Sequence, residues 1–337
     1  MNKIFFNDKP LCLSKLDENR LLVSTADGKI YAIEPPYTNK KLIFSGLSPI
    51  SCVEYENGKI FFGDWNGNVC KMSVDVREYS TDKKYHENMG ISSSTGMRVD
   101  ASLPTNMELE ESTGKETAFQ HQGDGTETDY REIKQMKSIC LGNAIIKCMK
   151  IFNGGIYVSI DRNLIIMDFD LQIRTKMNMN NKILCLAIMN DQLYMGMSVP
   201  SIQRFDNGTI NEIATHHQSS ILCISTDENG DIMTSSADKT LMVKNRTLYT
   251  GTEWIRVCLG SYFTDGNLVK KRTGSTITTL FVHGGYVVGL QESKDRLFSI
   301  GLDCCLAVVE KDESKKMDVA CDWDEEEEIR RLNEEFG

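Results

Sequence analysis

The chain has 337 residues, 40% hydrophobic and 26% charged, with a formal net charge of −10. That is the composition of a globular protein, and no apolar run approaches the roughly 18 residues that a membrane span needs. The acidic balance argues against direct nucleic-acid binding as the main activity, because phosphate contacts rely on a basic surface; length alone allows two ordinary domains or one large all-β unit.

In chain order, the first element is the apolar stretch Lys3-Ile4-Phe5-Phe6. It is too short for a secretory leader, so an intracellular setting, cytoplasm or nucleus, is expected, with the 11 cysteines reduced and buried. It reads instead as a strand without a unit of its own. From there a local pattern recurs: a few apolar residues, Cys, a β-like run, a polar turn and a second β-like run. The cysteines are Cys12, Cys52, Cys148, Cys185 and Cys223, and the turns that follow include Asn57-Gly58, Asn153-Gly154 and Asn190-Asp191. Such dipeptides between alternating apolar runs are strong hairpin signals.

A second tight turn and a third run follow in each unit. The stretches 25–34, 159–168, 236–245 and 301–310 are the clearest, 64–73 and 197–206 are weaker, and 272–281 is the weakest. Their turns fall at 27, 66, 161, 199, 238, 274 and 303, a period near 38–40 interrupted once by 95. A four-stranded propeller blade needs that period. The expected architecture is therefore all-β: a single β-propeller over 3–310, seven four-stranded blades, closed by the N-terminal strand pairing with the last blade. Closure removes the free sheet edges.

Two segments depart from the repeat. Residues 74–132 are polar and poor in aliphatics, a composition of disorder; Lys137-Ser138-Ile139-Cys140 resembles an outer strand, which puts the insertion between the third and outer strands of the second blade. Either it is a tolerated surface loop or it is a regulatory or partner-binding segment. The segment 311–337 is an acidic tail in which Ile329, Leu332 and Phe336 fall on one helical stripe, with Trp323 upstream. It is either a solvated tail or a short docking helix. The tail carries −6 and residues 74–132 carry −7, leaving the remainder at +3.

The decads of the form Ser-x-Asp-x-x-aliphatic-x-x-x-polar, clearest at 159–168 and 236–245, resemble the WD-repeat β-propeller family. The match is degenerate: no decad ends in Trp-Asp, and the family's Gly-His survives only as His216-His217. The resemblance implies that Asp238 accepts a hydrogen bond from His217 as a structural pair. Asp27, Asp161 and Asp303 would cap their own turns without a histidine, by local Asx chemistry. It also implies that the face carrying the Asp turns is the commoner docking surface, where Trp65, Arg162 and Lys239 are candidate contacts. For Trp65 the alternative is packing against the next blade.

The search for catalytic chemistry returns little. Five histidines occur, and no HExxH, GxSxG, P-loop or strand-linked GxGxxG accompanies them. No CxxC exists, and Cys304 and Cys305 would point to opposite faces of a strand, so no metal or cofactor is expected. The expected function is a non-catalytic scaffold or adaptor for other proteins. The alternatives are a peptide or modified-tail reader, of degron or histone type, and an assembly factor in a ribosome or chromatin complex.

Overall fold

The computed structural model describes residues 1–74, 136–206 and 208–311, and every regular element among them is a β-strand. No helix long and apolar enough to cross a membrane occurs among the described residues. β1 (Asn2–Phe5) stands alone at the start. The first blade is β2 (Pro10–Lys15), β3 (Leu21–Thr25), β4 (Lys29–Ile33) and β5 (Lys40–Ser45); the second is β6 (Ile50–Glu56), β7 (Lys59–Asp64), β8 (Asn68–Ser73) and β9 (Met136–Cys140). The third is β10 (Ile146–Phe152), β11 (Gly155–Ile160), β12 (Asn163–Met167) and β13 (Ile173–Asn178). The fourth is β14 (Ile183–Met189), β15 (Gln192–Met197), β16 (Ile202–Asp206) and β17 (Thr209–Ile213), and the fifth β18 (Ile221–Thr226), β19 (Ile232–Ser236), β20 (Thr240–Val243) and β21 (Arg246–Thr250). The sixth is β22 (Cys258–Leu259), β23 (Tyr262–Asp265), β24 (Leu268–Thr273) and β25 (Thr276–Val282). β26 (Val287–Glu292), β27 (Arg296–Gly301) and β28 (Cys305–Glu310) begin the seventh, and β1 completes it as the outermost strand, with Ile4 opposite Leu306. The result is a seven-bladed propeller closed by its N-terminal strand.

The first hairpins of the blades follow from their turn residues. Asn57-Gly58, Asn153-Gly154 and Asn190-Asp191 all have positive φ at both positions, from 46° to 77°, and the flanking residues pair across two-residue loops. Asn and Asp tolerate that conformation and glycine favours it, which is why a type I′ turn takes them. The second strands are apolar on both sides: β3 and β7 are buried almost throughout, whereas the outermost β13 and β17 are largely exposed. Seven apolar clusters form among the described residues, and each joins two neighbouring blades. One of them packs Ile4, Phe6, Phe298 and Leu306 of the seventh blade against Val23, Tyr31 and Ile33 of the first. The hydrophobic core is thus a ring of interfaces, and loss of β1 would open one of them.

The sixth unit corrects the sequence reading. Its Asp-side turn is Gly266-Asn267, between Asp265 and Leu268, and Gly274 lies in the next turn, between β24 and β25. The innermost strand there is only two residues long, while β24 and β25 form a long hairpin whose Thr-rich pattern imitates a blade repeat.

Residues 75–135 join β8 to β9, the third and outermost strands of the second blade. The expected insertion, apart from Val74, and the expected tail helix with Trp323, Ile329, Leu332 and Phe336 lie outside the described residues.

Candidate functional site at the channel mouth

Six of the seven innermost strands repeat one irregularity. The register shifts between Pro10 and Cys12, Ile50 and Cys52, Ile146 and Cys148, Ile183 and Cys185, Ile221 and Cys223, and Val287 and Gly289. One residue per strand is therefore extra, and a bulge re-aims its side chain. These residues are Leu11, Ser51, Lys147, Leu184, Leu222 and Val288. Arg256 holds the same place in the sixth blade: the Thr264 amide donates to the Val257 carbonyl, at 3.0 Å, just beyond it. All seven line one cavity of about 810 Å³ on the face of the Asp turns, together with Trp65, Trp254, Ile145, Asp161 and Lys182.

The rim of this mouth is aromatic and open. Trp65 and Trp254 are 44% and 46% exposed, and Tyr286 and Ile145 are exposed to a similar degree. The Arg256 guanidinium lies 4.9 Å from the ring centroids of both Trp254 and Tyr286, so two aromatic faces hold it in place. Its Nε is sealed from solvent and has no hydrogen-bond partner. Among the described cavity residues Lys147, Lys182 and Arg256 are cationic and only Asp161 is anionic. Lys182 spends its charge on Asp161, at 3.1 Å.

Around the mouth, polar clusters fix the loops. His217, 3% exposed, bonds Asp238 through Nδ1 at 3.0 Å and Thr234 through Nε2 at 2.9 Å. The Gln218 and Thr240 amides and the Thr240 hydroxyl also donate to Asp238. Burial alone would raise the Asp238 carboxyl, but these donors outweigh it and hold the group below the usual carboxylate range. Asp265 is the sixth blade's equivalent anchor. It accepts from the Tyr249 hydroxyl at 2.8 Å and from the Glu253 and Thr252 amides at 2.8 and 3.1 Å. Burial, with Asp265 beside it, pushes Tyr249 up to about 12.

Two expectations for the turn aspartates are corrected. Asp303 does have a histidine: His283 Nδ1 lies 3.1 Å from its carboxylate, Nε2 lies 2.9 Å from the Ser299 hydroxyl, and the Gly284 amide donates to Asp303 as well. Here the histidine precedes its glycines, His283-Gly284-Gly285, so the Gly-His order hides it. Asp161 does not cap its own turn; it sits exposed and reaches across to Lys182 of the next blade. Asp27 takes the Thr25 hydroxyl and the Lys29 ammonium, both at 2.5 Å.

Of the other expected contacts, Trp65 lies at the cavity, whereas Arg162 and Lys239 are exposed outside its lining, and Lys239 donates to the Thr252 carbonyl. Trp254, Arg256 and Tyr286 were missed. The first two sit in the loop before the sixth blade, where the misplaced repeat obscured them.

The donor atoms of His283, Asp303 and Cys305 lie within 4.8 Å of one another, a spacing suited to a metal. Both His283 nitrogens are already spent on Asp303 and Ser299, and burial pushes the Cys305 thiol up to about 11. The donor set is a structural knot. Cys12 and Cys148, in the innermost strands, are likewise pushed up to about 11 by burial, which keeps them protonated and unreactive.

Comparison with solved structures decides the fold's name. The WD40 β-propeller domain of Doa1 superposes with a TM-score of 0.66 at 8% identity, covering 91% of this chain and 94% of that one. The fold is that of a WD40 β-propeller. A chain from a mitotic checkpoint complex superposes on this propeller with a TM-score of 0.64 at 11% identity, covering 91% and 90% of the two. No protein-family profile matches the propeller's sequence, and no curated protein does. At such identities the likeness speaks for architecture, and function has to be argued from the site.

Proposed function

We propose that this chain is a non-catalytic interaction scaffold that docks an intracellular protein partner at the mouth of its channel, on the face of the Asp turns. The observation that carries this reading is the open rim of Trp65, Trp254 and Ile145, with the exposed Tyr286 against Arg256, around a cavity lined by one innermost-strand or equivalent residue from each blade. Exposed aromatics and an arginine at a concave, rigid surface are the residue types that anchor protein interfaces. The buried histidines support a non-catalytic reading, since each has both nitrogens committed to its own blade. All ten cysteines of the described residues are free thiols, which suits a reducing compartment.

A reader of methylated lysine is the weaker alternative: the Trp254 and Tyr286 rings are already in contact with a guanidinium. An assembly factor that touches RNA or DNA would draw on only a slight positive excess in the ring. Affinity purification with quantitative mass spectrometry tests the proposal on the full chain. Leu222→Asp and Trp65→Ala should both lose the same co-purifying proteins, and Lys59→Glu, at the opposite end of the second blade, should keep them. Retention of every partner by both mouth variants would refute it.

A further inference from the structure

Arg256 is a cation at the channel mouth that the fold leaves unanswered. The guanidinium lies over the Trp254 and Tyr286 rings, 4.9 Å from each centroid, so two aromatic contacts restrain it without supplying a hydrogen-bond acceptor. Its buried Nε has no acceptor, and among the described residues no carboxylate pairs with it. A desolvated donor without a partner is costly, and a guanidinium fork fixed in one plane is already organised for a bidentate oxyanion. The one carboxylate lining the cavity, Asp161, is neutralised by Lys182, so Lys147 and Arg256 leave the mouth net positive. Between them lie the aliphatic side chains of Leu11, Leu184, Leu222 and Val288.

We propose that the channel mouth takes an extended peptide segment of a partner protein whose oxyanion side chain closes on Arg256, while a neighbouring aliphatic residue enters the ring of Leu11, Leu184, Leu222 and Val288. The proposal rests on the reading of this mouth as the docking surface and adds the chemistry of the occupant. The oxyanion is a carboxylate or a phosphoryl group, since both match the fork. A nucleic-acid backbone fits less well, because the lining is mostly apolar and holds too few cations to follow a run of phosphates. Preorganisation matters here: the two rings have already removed the rotamer freedom that binding would otherwise have to freeze.

The test selects a phage-displayed library of random nonapeptides on the full chain. The enriched sequence is then synthesised with fluorescein in three forms, carrying Glu, Gln or phosphoserine at the acidic position, and titrated by anisotropy. The enriched set should share an Asp or Glu beside an aliphatic residue, and Glu→Gln in the peptide should weaken binding roughly 10- to 100-fold, the range for a charge-assisted hydrogen bond. Arg256→Gln should erase the Glu/Gln difference, and Arg256→Lys, which keeps the charge and loses the fork, should fall between. Tighter binding of the phosphoserine form identifies a phosphoryl group as the natural anchor, and tighter binding of the Glu form identifies a carboxylate. Both chain variants are checked for an unchanged melting transition.

Peptides that lose binding on Leu222→Asp yet ignore Arg256 would overturn this inference and leave the docking surface standing. Peptides indifferent to Leu222→Asp would overturn both. A selection that enriches no acidic position, that enriches nothing at all, or in which a random oligonucleotide competes the peptide from the wild type but not from Arg256→Gln, would also sink the acidic-peptide assignment.

Discussion

The polar clusters behind the turns and the guanidinium at the channel mouth lie on the same face and obey opposite rules. His217, His283 and Asp265 have their hydrogen-bonding capacity met inside their own blade or the loop beside it. Arg256 has aromatic neighbours and no acceptor. Buried polar groups normally find partners, so a satisfied cluster reads as framework and an unsatisfied one calls for an explanation outside the fold. The contrast separates residues that hold the loops from residues that those loops present. It also says which substitutions should damage stability and which should damage recognition alone.

The sharpest way to break the framework side is Asp265→Ala. The residue is 2% exposed, and besides the weaker Thr252 hydroxyl, at 3.4 Å, its carboxylate answers three close donors, the Tyr249 hydroxyl and the Thr252 and Glu253 amides. Removing it orphans all three and loosens the loop that carries Trp254 and Arg256. A loss of about 3 kcal/mol is expected, measured as a lower midpoint in guanidinium denaturation. An unchanged midpoint would mean that water replaces the carboxylate and that the cluster is not framework.

A smaller effect, with a pH signature, belongs to His283. Burial depresses its pKa below the usual 6.5, and Asp303 offsets this only in part. The folded state therefore prefers the neutral ring, and the unfolded state binds the proton more readily. Its contribution is complete above about pH 6.5 and declines as pH falls through that value toward the lower folded pKa. The depressed carboxylates Asp238 and Asp265 act lower: their contribution holds above about pH 4 and is lost as acid protonates them. Thermal melts from pH 8 to pH 5 should show the wild type losing stability below about pH 6.5. His283→Ala should be less stable by about 2 kcal/mol at pH 8 and should lose that segment of the slope. A parallel offset at every pH would remove His283 as its source.

The framework was easier to read in the sequence than the mouth, for a physical reason. Strands, two-residue turns and a bond between residues 21 apart in one unit, such as His217 to Asp238, recur with the blade period and leave a periodic trace. The closing strand was legible because the last unit lacks a fourth strand and Ile4 and Phe6 are apolar with no unit of their own. The trace failed where the period did. In the sixth blade the short β22 and the long β24–β25 hairpin moved the apparent turn to Gly274, and Asp265 went unmarked. The Trp254–Arg256–Tyr286 stack had no local pattern to betray it. Arg256 and Tyr286 belong to neighbouring loops 30 residues apart, and only ring geometry brings them together. The bulged positions were likewise invisible, because a bulge shifts pairing without changing the alternation enough to mark the extra residue.

The smallest effect on stability should come from the residue with the largest effect on recognition. Arg256→Gln gives up two cation–π contacts, each about 0.5–1 kcal/mol at a partly exposed site. It also removes a buried donor that no acceptor satisfies, which repays a comparable amount. Glutamine keeps part of the aliphatic stem against the Trp254 ring and is shorter by the guanidinium that fills the gap to Tyr286. The two contributions oppose each other, so the change in unfolding free energy should stay within about 1 kcal/mol of zero. Parallel denaturation curves of the wild type, Arg256→Gln and Asp265→Ala place this number beside the framework number under one set of conditions. If Arg256→Gln were as damaging as Asp265→Ala, the guanidinium would be part of the frame, its missing acceptor would be met within the folded chain, and the distinction between holding and presenting residues on this face would collapse.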